Sequence, residues 1–207
     1  MGRYTGPKNR LSRREGMNLF LKSGHRTNER LEKRLTQPPG MHPRGRGKLS
    51  DYGMQLREKQ KLKRIYGLLE RQFRIFFQRA AQKKGITGET LIQLLERRLD
   101  NTIFRSLFAR TRAEARQMVA HGLIYVNGSR VDIPSYIVKP GDKISPLPKE
   151  KNVNRVKAVL EQFKDLQSPE WLAVDRTKPE SEVLRLPTKA DAALVVEVSQ
   201  IVELYSK

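Results

Sequence analysis

The stretch TRAEARQMVAHGLIYVNGSRV, residues 111–131, predicts a helix that ends in a reversal and leads into a β-hairpin. Thr111 and Glu114 fit the Thr-x-x-Glu pattern of a capping box at a helix start. Gly122 follows where the end of a helix favours a positive φ. The buried stripe of this helix is expected to consist of three apolar residues at helical spacing, Ala115, Met118 and Val119.

The second half of the stretch has the pattern of two short strands joined by a tight turn. Residues 124–126 are typical of a strand, Asn127-Gly128 is a favoured two-residue turn, and residues 131–133 begin a second strand. The pattern of a helix followed by a β-hairpin therefore predicts a small α+β module, in which the helix packs on a short antiparallel sheet.

Positive charge is concentrated on one side of the same helix. Arg112 and Arg116 are four residues apart and therefore share a face, whereas Glu114 is the only acid within the helix. We therefore expect most of this charge to have no partner inside the protein.

The whole chain of 207 residues is basic, with 42 Lys and Arg against 22 Asp and Glu and a net charge of +20. Residues 1–85 hold 23 and 6 of these (net +17), and residues 86–207 hold 19 and 16 (net +3). Positive charges concentrated in this way repel one another unless a polyanion binds to them. Nucleic acid is the favoured partner because clustered cations release its counterions, and an anionic membrane surface is the competing one.

Several protein classes are excluded by what the sequence lacks. Without cysteine there is no disulfide, thiol chemistry or Cys-ligated zinc. No run of about 18 apolar residues predicts a membrane span. The N-terminus MGRYTGPKNRLSRREG lacks the apolar core of a signal peptide, and Gly6-Pro7 interrupts its weak likeness to a transit peptide. An intracellular, unprocessed protein is expected.

Residues 1–48 have the composition of a basic arm. A short helix is expected around residues 13–21, but the Pro- and Gly-rich piece at residues 38–47 cannot be a helix or a central strand. High charge and few apolar residues predict little order in isolation. The arm is therefore either a disordered tail or an extension that orders on RNA.

Residues 49–96 have the pattern of a helical domain. Ser50-Asp51 offers an N-cap, Gly67 is expected to bend or divide the helix that follows, and Thr87-Gly88 opens another. The apolar face comprises Leu62, Ile65, Tyr66, Leu69, Phe73, Phe76 and Phe77. Acids are scarce on the opposite face, which favours a binding face over a merely solvated one and comprises Arg57, Lys61, Arg64 and Arg71.

The remaining sequence predicts shorter elements. Two strands flank a Pro-Gly-Asp turn within residues 135–148, and a helix covers residues 152–166. Residues 192–207 are apolar enough to dock as a strand or a helix.

Patterns of catalysis are weak. The three histidines are scattered without metal-ligand spacing, and Gly40-x4-Gly45 is followed by Arg46-Gly47 where a phosphate loop needs Lys-Ser/Thr. RRLDNT, residues 97–102, resembles the Arg-Leu-Asp signature of pseudouridine synthases, whose aspartate attacks uridine. The remaining chain is too short for their catalytic domain, so Asp100 is interpreted as a packing or helix-terminal residue.

Seven motifs along the chain are specific as a series: LSRREG, LFLKSG, KLSDYGMQLREKQKLKRIYGLLERQFR, RLDN, TRAEARQMV, VNG and IVELYSK. In this order they resemble the bacterial small-ribosomal-subunit protein S-four family, over residues 2–207. The resemblance implies a two-domain α+β protein, without catalytic activity or cofactor, that binds 16S-type ribosomal RNA early in subunit assembly. It also implies a helical domain and an inserted helix–strand module that hold a multi-helix RNA junction from two sides.

The resemblance further implies the surroundings of the protein. Members of the family lie beside proteins S-three and S-five, near the mRNA entrance. Their interface with S-five influences decoding fidelity. Some members also repress their own mRNA. A cytoplasmic location in the ribosome is favoured over an organellar one, with no membrane and no homo-oligomer.

The implied domains are an arm (residues 1–48), a helical domain (residues 49–96 joined by 167–207) and the RNA-binding module (residues 97–166). The residues expected to contact ribosomal RNA are Arg3, Lys8, Arg10, Arg13, Arg14, Lys22, Arg26, Arg44, Arg46, Lys48, Arg57, Lys61, Arg64, Arg71, Arg110, Arg112, Arg116, Asn127 and Gly128.

Two features depart from the family pattern. Some members bind zinc through four cysteines in the arm; this chain has none, so a metal-free arm is expected. Residues 39–43 read Pro-Gly-Met-His-Pro where relatives often have Pro-Gly-Gln-His-Gly, which keeps the turn but loses one glycine and an amide.

Two other functions would use the same module. One is an RNA-modifying enzyme such as a pseudouridine synthase, against which the missing catalytic domain argues. The other is a stress-associated factor that visits the ribosome transiently, against which the basic arm and the full-length resemblance argue.

Overall fold

The computed structural model of the chain describes residues 2, 4–22, 24, 29–41 and 49–206. They form two compact units. Unit 1 contains the residues up to Leu91 and those from Leu194 onward, and unit 2 contains Ile92–Ala193. Unit 2 is therefore an uninterrupted insertion in a unit built from both ends of the chain.

The helices and strands of the described residues are, in chain order, α1 (Lys8–Glu15), α2 (Glu29–Glu32), α3 (Asp51–Ile65), α4 (Glu70–Ala81), α5 (Thr87–Glu96), α6 (Leu99–Arg105), α7 (Arg112–Ala120), β1 (Ile124–Val126), β2 (Ser129–Arg130), β3 (Lys143–Pro146), α8 (Glu150–Gln162), β4 (Leu172–Asp175), β5 (Glu180–Val183), α9 (Lys189–Ala192) and α10 (Val198–Ser206).

The start and end of α3 agree with the sequence. The Ser50 hydroxyl accepts a hydrogen bond from the Gly53 amide at 3.2 Å, which confirms the N-cap. Gly67 takes a φ of 63° between α3 and α4, so the predicted division there is confirmed. Leu69 was expected on the apolar face but is exposed, because it occupies the N-cap position of α4. The most deeply buried core residues of unit 1 include Leu62, Phe73, Phe76, Leu91 and Ile201.

The C-terminal segment docks on unit 1 as a helix, one of the two predicted forms. α10 packs on α3, and the Tyr205 ring stacks on Phe77 with centroids 4.4 Å apart. The Tyr205 hydroxyl donates to Glu70 Oε1 at 3.0 Å, and Glu70 also accepts from Lys59 Nζ at 2.7 Å and Lys63 Nζ at 2.8 Å. One carboxylate on α4 thus connects α3 with α10.

The described part of residues 1–48 contains two short helices, α1 and α2. Leu19 and Leu31 are buried within unit 1. The helix expected around residues 13–21 is instead Lys8–Glu15, because Gly16 ends it with a φ of 70°. The side chain of Glu15 is fully buried against α3. Leu19, Leu31 and the Glu15 carboxylate are thus the points at which this segment packs into unit 1.

Unit 2 is built on a five-stranded antiparallel sheet in the order β2-β1-β3-β5-β4. Val126 pairs with Ser129, so the predicted two-residue turn at Asn127-Gly128 is confirmed. The second strand is β2 rather than residues 131–133, because pairing resumes directly after so tight a turn. Core residues from the helices and the sheet include Leu99, Ile103, Phe108, Met118, Val119, Ile124 and Val156.

Residues 167–193 belong to unit 2 and not, as predicted, to the helical domain. β5 pairs with β3 through Ser181 and Ile144, and β4 continues the sheet. Trp171 and Val183 are buried in the core of unit 2, and the Ser106 hydroxyl donates to Ser181 Oγ at 2.8 Å. The predicted boundaries differ because β4 and β5, which the sequence analysis missed, complete this sheet.

Candidate nucleic-acid interface

α7 begins where the sequence predicted, with a different cap. Thr111 Oγ1 accepts a hydrogen bond from the Glu114 amide at 3.2 Å. The Glu114 carboxylate accepts hydrogen bonds from the Arg110 amide at 2.9 Å and from Arg155 Nη2 at 2.7 Å. These bonds take the place of the hydrogen bond from the Thr111 amide to the Glu114 side chain that would complete a capping box. Arg110 remains exposed at this corner.

The turn after α7 is braced from within the protein. Asn127 and Gly128 take φ values of 51° and 77°, the left-handed pair that this type of turn requires. The Asn127 side chain donates to Asp142 Oδ1 at 2.9 Å and accepts from the Lys143 amide at 2.9 Å. Its amide group therefore orders the turn, and the exposed backbone at Gly128 is what the turn offers to a ligand.

Arg112 and Arg116 have internal partners, which corrects the expectation drawn from their spacing. Arg112 Nε donates to Asn101 Oδ1 at 2.8 Å, and its guanidinium lies 4.3 Å from the centre of the Phe104 ring. Arg116 Nη1 donates to Asp100 Oδ2 at 3.0 Å. The partners lie on α6, where spacing within α7 could not reveal them.

Asp100 has the structural role that the sequence analysis assigned to it. It is in the first turn of α6, is 5% exposed and accepts two hydrogen bonds from Arg98, at 3.1 and 2.8 Å. A carboxylate held by Arg98 and Arg116 is a buried ionic anchor between α6 and α7.

The basic residues predicted on α3 also have acidic partners. Arg57 Nη1 lies 3.3 Å from Glu15 Oε1, Arg64 pairs with the same carboxylate, and Lys61 pairs with Glu58. Burial raises the pKa of Glu15, and the nearby Arg64 and Arg57 offset part of that rise. This face is therefore less available to an external anion than the sequence indicated.

The exposed face of α4 is different. Arg71 lies there as predicted, together with four cations that the sequence analysis missed: Arg74, Arg79, Lys83 and Lys84. Arg71, Arg74 and Arg79 stand opposite the buried face of the helix, and the two lysines follow its end. The signal in the sequence is a run from residue 71 to residue 88 that contains no acid.

Of the other predicted residues, those of the N-terminal segment are partly described. Arg10, Arg14 and Lys22 are exposed. Arg13 donates to the backbone carbonyls of Gln37 and Pro38, at 2.9 and 3.2 Å, and Lys8 is half-buried. The predictions for Arg3, Arg26, Arg44, Arg46 and Lys48 lie outside the described residues.

One further cation of unit 2 was missed. Arg130 is exposed on β2, and its guanidinium lies directly over Gly122, where a Cβ atom would collide with it. Gly122 takes the positive φ predicted for it, 65°. Arg130 therefore occupies the end of α7, whose carbonyls favour a cation.

Within the described ranges, no cluster of three or more His, Asp or Glu side chains could hold a metal ion. None of the helices described is both long and apolar enough to cross a membrane.

Comparison with known proteins gives two family matches, to consecutive parts of the chain. Residues 3–96 match the "Ribosomal protein S4/S9 N-terminal domain", and residues 97–144 match the "S4 domain". The "Small ribosomal subunit protein uS4" of Hahella chejuensis (strain KCTC 2396) is 52% identical over 207 residues, which cover 100% of both chains.

The chain belongs to the uS4 family. As a uS4 protein it is a structural, non-enzymatic component of the small ribosomal subunit. The α+β fold expected from the resemblance is confirmed. The match to the S4 domain contains α6, α7, β1 and β2, and so includes the helix and hairpin of residues 111–131.

Proposed function

We propose that this uS4 chain binds a multi-helix junction of small-subunit ribosomal RNA through two basic faces. The first is the α4 face, defined as Arg71, Arg74, Arg79, Lys83 and Lys84. The second is the α7 corner of unit 2, defined as Arg110, Arg112, Arg130 and the turn at Gly128. Both present cations to the RNA backbone.

The α4 face carries the proposal. Its five cations are exposed, and the only acid at its N-terminal edge, Glu70, already accepts hydrogen bonds from Lys59, Lys63 and Tyr205. Clustered cations without nearby acids favour phosphate binding because they release counterions. A-form RNA hides its base edges in a deep groove, so these contacts recognise shape more than sequence.

Substitution of the α4 face tests the proposal. The triple variant Arg71→Gln, Arg74→Gln, Arg79→Gln removes three charges opposite the buried face and should leave the core intact. Because each phosphate contact contributes about 1 to the slope of log affinity against log salt, the slope should become shallower by about 3. Binding is measured on the junction RNA across a salt series.

The matched control is Lys151→Gln, Lys157→Gln, Lys164→Gln. It removes three exposed charges from unit 2, on or just after α8, where Glu150 and Glu161 lie close by in sequence. Its slope should change by less than about 1. Equal loss in both triple variants would mean that net charge, and not the α4 face, binds the RNA.

The proposal extends to the place of the protein in the ribosome. The uS4 chain binds its RNA early in assembly of the subunit body, lies beside proteins S-three and S-five near the mRNA entry channel, and supports decoding accuracy with S-five. This occurs in the cytoplasm, and the protein represses its own mRNA. The family resemblance supports these statements, and cross-linking of assembled subunits, with binding of the protein to its own mRNA leader, tests them.

A further inference from the structure

The Asp142 carboxylate joins the turn after β1 to a second turn of unit 2. Asp142 Oδ1 accepts a hydrogen bond from the Asn127 side chain at 2.9 Å, and Oδ2 accepts one from the Lys139 amide at 2.7 Å. Asn127 Oδ1 in turn accepts from the Lys143 amide at 2.9 Å. These three bonds run in series between two backbone amides, and Asp142 in their middle is only 8% exposed.

The backbone of Asp142 is anchored to β5. Its carbonyl accepts from the Val183 amide at 3.0 Å, and the Val183 carbonyl accepts from the Gly141 amide at 2.7 Å. The Asp142 amide donates to the Lys139 carbonyl at 3.1 Å, which closes the second turn. The carboxylate therefore has a fixed base from which to hold Asn127.

The direction of each bond in the series is dictated by the backbone. Both ends are amide donors, so the two side chains between them must offer an acceptor at each end and one donor in the middle. Asp142 and Asn127 meet this need, because an ionised carboxylate only accepts whereas a side-chain amide both donates and accepts. In Asp142→Asn, two donors face each other whichever way the two amides turn, so one of the three bonds is lost.

The turn that this series of bonds holds is open to a ligand. Asn127 has a φ of 51°, a conformation that is costly for a residue with a side chain unless its surroundings fix it. Gly128 is exposed, and its amide donates no hydrogen bond within the described part of the chain. No described atom lies within 4 Å of the place that a Cβ atom would take at Gly128. Backbone amides of this kind donate to phosphate oxygens.

We propose that Asp142 is a positioning residue for RNA binding, which acts through Asn127 and holds the Gly128 amide in the direction that a phosphate of the folded RNA junction requires. This rests on the proposed function, because the turn at Gly128 belongs to the α7 corner. A turn that already has its bound conformation loses little entropy on binding, and the buried carboxylate raises affinity in this way without touching RNA.

Charge and positioning predict opposite effects of removing this carboxylate. A basic protein that loses an acid should bind RNA slightly more tightly, because repulsion of the phosphates decreases. Loss of the bond to Asn127 should weaken binding, because only a fraction of the molecules then hold the turn in its binding conformation. Asp142→Asn should therefore bind the junction RNA about three- to tenfold more weakly than wild type, the effect of about one hydrogen bond.

Affinities are measured at one salt concentration and at a temperature where circular dichroism shows each variant folded. Asp165→Asn is the matched control: it makes the same change at an exposed carboxylate of unit 2, just after α8 and outside both basic faces. Its affinity should stay within about twofold of wild type. Asn127→Gly tests the intermediary, since glycine accepts the left-handed turn but has no side chain for Asp142 to hold. Its affinity should fall by a factor similar to that of Asp142→Asn.

The double variant Asn127→Gly, Asp142→Asn shows whether Asp142 acts through Asn127. It should bind no more weakly than Asn127→Gly alone, whereas an effect through another group, such as the nearby Arg97, would add to that of Asn127→Gly. An additive double variant therefore overturns the proposal.

A folded Asp142→Asn that binds the junction as tightly as wild type, or more tightly, also overturns the positioning role, even if its melting temperature falls. Equal weakening in Asp165→Asn does the same. If Asp142→Asn does not fold, Asn127→Gly decides, and wild-type affinity in that variant overturns the proposal. A wild-type protein that does not bind the junction at all overturns the proposed function instead.

Discussion

At the scale of single residues, charged side chains in this protein have two kinds of environment. Arg98, Arg116 and Asp100 form a nearly buried group in which the cations hold an internal anion. Arg71 and Arg110 are exposed and carry their charge on the surface. The first kind stabilises the fold and the second is suited to an external anion, so the two should respond differently to substitution.

The double variant Arg112→Ala, Arg116→Ala should destabilise unit 2. It removes the partner of Asn101 and one of the two arginines on Asp100, so buried polar atoms are left without their bonds. The expected loss is about 2–4 kcal/mol in the free energy of unfolding, measured by denaturant melts. Arg110→Ala should stay within about 0.5 kcal/mol of wild type. A double variant as stable as wild type would show that these hydrogen bonds make no net contribution to the free energy of unfolding.

Met118 lies on the opposite face of α7 and is 3% exposed. Met118→Ala should cost about 2–5 kcal/mol of stability because it leaves a cavity in the core of unit 2. RNA affinity of the folded fraction should be unchanged, since the side chain does not reach the surface. Paired melts and RNA titrations check this, and a loss of affinity at full folding would contradict the assignment.

At the scale of elements, Glu70 connects α3, α4 and α10. Burial alone would raise the pKa of Glu70, but hydrogen bonds from Lys59, Lys63 and Tyr205 outweigh it and lower the pKa from the usual 4.5 to about 2. A carboxyl group whose pKa is lower in the folded than in the unfolded state stabilises the fold at pH values above its unfolded-state pKa. That stabilisation is lost as the pH falls through the folded-state pKa.

The melting temperature of wild type should therefore fall between pH 4.5 and about 2 by more than that of Glu70→Gln, with the difference between the two proteins largest above pH 5. The effect should be modest because half of the carboxylate side chain is exposed. Calorimetric scans of both proteins across this range make the comparison. A constant difference at every pH would mean that the hydrogen bonds do not depend on the carboxylate charge.

Elements with a local signal were predictable from sequence. α7 and its turn follow from Thr111, Gly122 and Asn127-Gly128, each of which acts on its immediate neighbours. β4 and β5 are four residues each, and only their place in the sheet makes them strands, since β5 pairs with β3 and β4 pairs with β5.

The residues of the candidate interface were likewise predictable only where the signal is local in the sequence. The exposure of Arg71 follows from helical periodicity, but the Glu15 that occupies Arg57 and Arg64 lies more than 40 residues away in the chain. Which cations are already paired depends on tertiary contacts.

At the scale of the whole molecule, the net charge of +17 in residues 1–85 should govern the salt dependence of binding. If about 8 phosphates are neutralised, log affinity should fall with log salt at a slope of about −6 to −7. Titrations of the junction RNA from low to physiological salt measure it. A nearly flat dependence would contradict the electrostatic account of this half.

Deletion of residues 1–48 should weaken unit 1 without abolishing cooperative melting. The deletion removes Leu19 and Leu31 from the core and Glu15 from Arg57 and Arg64, but leaves the contacts among α3, α4 and α10. The melting temperature should fall by about 4–8 °C for each kcal/mol lost, and RNA affinity should fall as well. A melt without any cooperative transition would show that this segment is indispensable.

Unit 1 is assembled from both ends of the chain, and this sets the order of events during synthesis. The residues of unit 2 leave the ribosome as one continuous segment, after α3 and α4 and before α10. α3 and α4 emerge earlier, yet their partner α10 is the last helix to be made. The half of the protein that is translated first therefore cannot complete its core until all of unit 2 has been made, and a chain that terminates before α10 has its most basic segment beside an incomplete core.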